Sequence, residues 1–338
     1  MTRTRLAPTL ALASLLGGAA PGLAADRPLE GVRRVVFLGD SITHSGQYIA
    51  DVEAFLRLDD PKLRVEFLDL GLPSETVSGL SEPGHAGGQF PRPELFERLD
   101  RVLDRLKPDY VVACYGMNDG IYMPLEEGRF AKYREGMVKL RERVLASGAK
   151  LLVLTPPVFD PVPIRANTLP AGLAAYPKPY EGYDEVLARY SDWLLARRAD
   201  GWDVVDVHGP MRAYLDEHRK LDPAFRLAGD GVHADATGHW IIAREILRRW
   251  GVPADRLVAP TAEAAFLGRP AGLAFLTLVG RKQAILKDSW LAEVGHKRPG
   301  LPRGLPPEEA GRRAAEVEAQ IRTLRGLIAD VELPADRP

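Results

Sequence analysis

The sequence predicts a doubly wound α/β fold, and three observations lead there. Short, β-branched, nearly continuous apolar runs stand at residues 32–38, 64–70, 109–115, 150–155 and 202–207. Runs of that kind are strands of a parallel sheet covered on both faces. Longer amphipathic stretches separate them, and strand–helix alternation repeated five times puts helices on both sides of one sheet.

The helices are expected at 47–58, 93–106, 126–146, 183–198 and 237–250. Leu95, Leu99, Val102, Leu103 and Leu106 show the spacing of three and four residues that lays one helix face on a sheet. Two long loops interrupt the rhythm: a Gly-rich one at 79–91 with His85, and a Pro-rich one at 156–179. Loops of that length inside a compact domain are usually functional. Both follow strands, so both belong at the carboxyl edge of the sheet, where open α/β folds bind ligands.

The main domain is expected over 30–252, closing near Val252, with a helical extension over 253–338. In the extension, helices at 273–294 and 308–331 flank a Gly/Pro-rich connector at 298–307. Ala314, Val317, Ile321, Leu324 and Ile328 form one narrow apolar stripe. The expectation is a hairpin docked on the main domain, with an oligomer contact as the alternative.

At the amino end, Arg3 and Arg5 precede an apolar run over 6–16, and Gly22-Leu23-Ala24 precedes Ala25. That is the pattern of a signal peptide over 1–24, cleaved on export to the periplasm or the exterior. Gly17, Gly18 and Pro21 interrupt the stretch, which argues against stable membrane insertion. A net charge of −1 argues against a nucleic-acid partner held by phosphate neutralisation. Cys114 is the single cysteine, so no internal disulfide forms, and its apolar neighbours read as a buried strand with an inert thiol.

The residues that carry chemistry sit at strand ends. Gly39-Asp40-Ser41-Ile42-Thr43 follows the first strand, presenting a hydroxyl beside helix N–H groups. Asp230-Gly231-Val232-His233 precedes the last helix, where the carboxylate can hold one imidazole nitrogen while the other meets Ser41. Gly116-Met117-Asn118-Asp119 follows the third strand, and an Asn amide can donate to an oxyanion. Gly71 follows the second strand and can supply a backbone N–H. Each motif also has a plain reading: Asp40, Ser41 and Asn118 as helix caps, Gly71 as a turn glycine, His233 as a solvated side chain. Their joint placement at one sheet edge is what argues for a site.

In this order the motifs resemble the signature blocks of the SGNH (GDSL-like) hydrolases, over about 32–250. The resemblance implies a flavodoxin-like α/β/α sandwich with five parallel strands in the order 2-1-3-4-5. It implies a triad of Ser41, His233 and Asp230, with an oxyanion hole from the Ser41 and Gly71 amides and the Asn118 side chain. Two departures stand out: Ser74 where members often carry a second Gly, and Ala234 where many carry Pro. Neither removes a catalytic group, and the resemblance says nothing of the chain beyond Val252.

The expected chemistry is hydrolysis of a carboxylic ester through an acyl-serine, with no cofactor and no metal. An O-acetylated carbohydrate is the first substrate expectation; a short-chain or lipid ester, acyl transfer, and a non-catalytic glycan-binding module are the alternatives. His85, Tyr122 and Phe159 are the expected substrate contacts. His44 has no carboxylate obviously placed to orient it, and Lys297 and Arg298 read as a solvated surface pair.

Overall fold

A computed structural model describes residues 28–60, 62–269 and 271–332. The expected signal segment lies outside the described residues. The five strands are β1 (Arg34–Gly39), β2 (Glu66–Asp69), β3 (Tyr110–Cys114), β4 (Lys150–Leu154) and β5 (Asp203–Val205). They form one all-parallel sheet in the order β2-β1-β3-β4-β5, as expected. Val35, Val36, Phe37, Leu38, Val111, Val112 and Ala113 are all fully buried, because helices cover both faces.

The helices are α1 (Ser41–His44), α2 (Gln47–Asp59), α3 (Leu99–Leu106), α4 (Glu127–Ala146), α5 (Tyr183–Ala196), α6 (His208–Arg219), α7 (Ala236–Arg249), α8 (Ala262–Leu267), α9 (Gly272–Val294) and α10 (Pro307–Glu332). In one layer α2 and α7 pack side by side. In the other, Tyr133 of α4 and Tyr190 of α5 stack with ring centroids 4.3 Å apart.

Two helices, α6 and α8, have no counterpart in the sequence reading. Only His208, Met211 and Leu215 of α6 are buried, too short a stripe to stand out in the pattern. The helix expected over 93–106 is broken. Thr76 N–H donates to the Pro93 carbonyl at 2.9 Å and Leu95 N–H to the Thr76 carbonyl at 3.0 Å, so this stretch starts as extended chain. The backbone turns non-helical again at Arg98, whose guanidinium is buried against the Glu75 carboxylate at 2.7 Å. Tertiary pairing overrides the helical periodicity there.

Past Val252 the chain does not leave the domain. It packs α9 against α2 and β2, and α10 against α9. A buried charged cluster joins the three helices: Glu53 of α2, with a side chain 0% exposed, bonds Lys282 and Gln283 of α9. Arg57 joins Glu53 to Glu318 of α10, donating through Nη1 to both at 3.0 and 2.9 Å. The Ala314, Val317, Ile321 and Ile328 stripe is buried in this hairpin, the docked arrangement expected. No helix among the described residues is long and apolar enough to cross a membrane.

Candidate active site

In-register pairing of Phe37 with Asp69 and of Gly39 with Cys114 aligns the carboxyl ends of β1, β2 and β3. The three loops beyond these strands therefore meet at one edge. Ser41 opens the single turn of α1, capped by the buried Asp40, whose carboxylate accepts from Ile42 N–H at 2.9 Å. Burial pushes the Asp40 carboxyl up to about 7.

Asp230 and His233 come from a tight turn closed by Asp235 N–H on the Leu227 carbonyl. Gly231 stands at its tip with φ +80°, and a Cβ there would lie 2.6 Å from the Asp160 carbonyl. Only glycine fits that position. The Asp230 carboxylate accepts from the Val232 and His233 N–H groups at 3.0 and 2.8 Å and from His233 Nδ1 at 2.6 Å. Partial burial raises the Asp230 carboxyl, but the His233 ring and these N–H groups outweigh it and hold it below the usual carboxylate range. The other ring nitrogen, Nε2, lies 2.8 Å from Ser41 Oγ across 192 positions of sequence. Ser41, His233 and Asp230 are thus one hydrogen-bonded chain.

Asn118 is buried, and its amide orientation is set from both ends. Oδ1 accepts from Arg92 Nη1 at 2.9 Å and from Tyr122 Oη at 3.2 Å, while Nδ2 donates to the Glu75 carbonyl at 3.3 Å. Next to it, buried Asp119 accepts from the Val77 and Ser78 N–H groups at 2.9 and 2.8 Å, tying the loop after β3 to the loop after β2.

Gly71 follows β2, as expected, but its N–H is not free for an oxyanion. Its N–H donates to the Asp69 carboxylate at 2.8 Å, and a Cβ would lie 2.3 Å from the His44 backbone nitrogen. Glycine is needed there for close passage behind α1, and its N–H is already engaged. Three residues on, Ser74 holds a left-handed φ of +68° in the turn closed by Glu75 N–H on the Leu72 carbonyl. No protein partner accepts its N–H among the described residues. The signal for Ser74 was its place, the one where the family often has glycine, which suits a positive φ.

Of the expected substrate contacts, Tyr122 is half-buried beside Asn118 and has a left-handed φ of +53°. His85 packs edge-on to Phe90 at 5.3 Å and sits 3.6 Å from Glu82. Phe159 is a correction: it is 2% exposed, its ring edge-on to Tyr183 at 5.5 Å, so it belongs to the core beneath Tyr122. Its apolar character suited either role, and only the packing separates them.

The sequence reading also missed two basic residues and misplaced a third. One is Arg92, the donor to Asn118 Oδ1. Lys287 of α9 donates to the His44 carbonyl at 2.7 Å, at the end of the turn that carries Ser41. Arg298, expected in solvent, donates through Nε to the Pro73 carbonyl at 2.9 Å and lies over the Phe90 ring. His44 itself donates from Nδ1 to the Gly71 carbonyl at 3.0 Å. Burial, helped by Lys287, lowers it to about 4, so it is neutral. His239 lies under α1 with Nε2 3.1 Å from Ser45 Oγ, and burial lowers it to about 4 as well. Cys114 is buried and its thiol is pushed well up by burial.

Among the described residues no group of three His, Cys, Asp or Glu side chains is arranged to hold a metal ion. A cavity of about 720 Å³ opens between Arg64, Glu66, Lys282 and Glu318, at the amino end of β2 and hence at the opposite edge from Ser41.

The model of the GDSL-like Lipase/Acylhydrolase family matches residues 37–241. No curated protein matches the chain. Among solved structures, BT4096, a gut microbial diltiazem-metabolizing enzyme, superposes with a TM-score of 0.51 at 20% identity, over 65% of this chain and 47% of that one. The chain thus spans about half the length of that protein. Axe2, an acetylxylan esterase from Geobacillus stearothermophilus, gives 0.49 at 21% identity, over 65% of this chain and 95% of that one. At such identities the likeness to the first is one of fold. The family match covers more than half of the 338 residues and takes in the loops after β1, β2 and β3 and the Asp230–His233 turn, so the chain belongs to the GDSL-like lipase/acylhydrolase family and is a carboxylic ester hydrolase.

Proposed function

We propose that this hydrolase removes short acyl groups, acetyl foremost, from O-acylated carbohydrates outside the cytoplasm, with Ser41 as nucleophile. The observation that carries the reading is the 2.8 and 2.6 Å chain from Ser41 through His233 to Asp230. In the first step Ser41 Oγ attacks the acyl carbon while His233 Nε2 takes its proton. Asp230 holds the imidazole in the tautomer with Nδ1 protonated and stabilises the imidazolium. The oxyanion receives the Ser41 and Ser74 N–H groups and the second hydrogen of Asn118 Nδ2. Collapse breaks the bond to the alcohol oxygen, which leaves with the proton from His233. Water then attacks the acyl-serine, gives a proton to His233, and releases the acid as Ser41 recovers its hydrogen.

The substrate class draws on shape. The His233 and Asp230 side chains are 52% and 57% exposed, so a bulky alcohol can approach the site from solvent. Tyr122, half-buried beside Asn118, crowds that side and suits a short acyl group. The expected signal segment supports action outside the cytoplasm.

The test is turnover of nitrophenyl esters of increasing chain length beside acetylated oligosaccharides, for wild type and Ser41→Ala. Expected are a preference for acetyl, release of acetate from the saccharides, and a fall of about 10⁶ in kcat for Ser41→Ala. A serine-directed phosphonate labels wild type once, at Ser41. Undiminished hydrolysis by Ser41→Ala, or a preference for long acyl chains, would overturn the corresponding part.

A further inference from the structure

Arg92 sits on the Gly-rich loop between β2 and α3, with a side chain 6% exposed. Its Nε and Nη2 grip both oxygens of Glu82 at 2.7 Å. Its own N–H is held by Ser81 Oγ at 2.9 Å, and its guanidinium lies 5.4 Å over the Tyr122 ring. The remaining nitrogen, Nη1, donates to Asn118 Oδ1. A buried ion pair adds little net stability, since desolvation consumes most of the attraction. This one delivers a rigid donor to a single amide oxygen.

That amide is the one whose nitrogen faces the reacting carbonyl in the proposed ester hydrolysis, and the role of Arg92 rests on that reading. Two donors on Oδ1, Arg92 and Tyr122, forbid the flipped orientation, which would turn an oxygen toward the oxyanion. They also draw electron density to Oδ1, so the Nδ2 hydrogens become stronger donors, as in any polarised chain of hydrogen bonds. With one Nδ2 hydrogen on the Glu75 carbonyl, the other stays free for the oxyanion. We propose that Arg92, clamped by Glu82, is a positioning residue for transition-state stabilisation: it orients and polarises the Asn118 amide without touching the substrate.

The experiment is a double-mutant cycle on nitrophenyl acetate with Arg92→Met, Asn118→Ala and the pair, in the full chain. Arg92→Met is expected to lower kcat by roughly 10–100-fold with KM little changed, less than the about 10²–10³ expected for Asn118→Ala. In the Asn118→Ala background the same change costs less than about twofold, because the amide through which Arg92 acts is gone. Arg92→Lys, which keeps the charge and one donor, recovers part of the loss. If Arg92→Met does not fold, Arg92→Lys and Glu82→Gln take its place in the cycle with the same expectation.

A full additive loss in the Asn118→Ala background, or a wild-type kcat in Arg92→Met, would overturn the proposal. The underlying reading fails in a different way, through active Ser41→Ala or a normal kcat in Asn118→Ala.

Discussion

Arg298 donates to the carbonyl oxygen of Pro73 at 2.9 Å, so a residue of the C-terminal extension holds the peptide group whose nitrogen belongs to Ser74. A cation on the oxygen of a peptide strengthens its N–H as a donor, and here that N–H is the one proposed for the oxyanion. Arg298→Ala is expected to lower kcat roughly tenfold, an effect of about 1.4 kcal/mol, with KM and melting temperature little changed. Steady-state kinetics and thermal melts check this. A lowered melting temperature with normal kcat would make Arg298 a docking contact only.

Asp230 is expected to act through the tautomer of His233. Asp230→Asn keeps the shape of the turn but accepts poorly from Nδ1–H, so kcat should fall by about 10⁴. Single-turnover kinetics on an activated ester measure it. A loss smaller than about tenfold would mean that the His233 ring is oriented by another group.

Asp69 supplies a pH signature. Its Oδ1 accepts from Gly71 N–H, its Oδ2 is buried without a hydrogen-bond partner among the described residues, and burial raises the carboxyl to about 7 against the pull of Lys287. A raised carboxyl pKa means that the folded chain keeps a proton which the unfolded chain loses above about pH 4. This group therefore favours folding at low pH and costs stability as pH rises from about 4 to about 7, at most ~1.4 kcal/mol per pH unit. Asp69→Asn should gain on wild type across that window and stay level above it. Urea unfolding of both proteins at about pH 4, 6 and 8 provides the comparison, and a pH-independent difference would refute it.

The charged cluster between α2, α9 and α10 predicts a stability effect remote from catalysis. Lys282→Met leaves buried Glu53 with Arg57 and Gln283 and should cost about 3 kcal/mol. Adding Glu53→Gln removes the stranded charge and should recover much of that. Chemical denaturation of the single and double variants decides it, while kcat per folded molecule should stay near wild type.

Much of this protein was legible in one dimension. The five apolar runs determined a parallel sheet because a strand buried on both faces must be apolar at every position, as Val35 through Leu38 are. The place of Ser41 and Asn118 came with it, because residues just past parallel strands share one edge, whereas the Asp230–His233 turn lies beyond α6 and was joined to them by the family resemblance. What only the tertiary structure decided is where individual polar groups point. Gly71 and Ser74 both come after β2, yet one N–H is spent on Asp69 and the other has no partner among the described residues, a difference of backbone direction that no spacing encodes. Phe159 could have lined a pocket or a core, and its burial against Tyr183 placed it in the core. Arg92 and Arg298 reach Asn118 and Pro73 across 26 and 225 positions, through loops whose paths are set by packing rather than by local pattern. Strand periodicity is a short-range property and survives in sequence; hydrogen-bond partners across such separations exist only once the chain has folded.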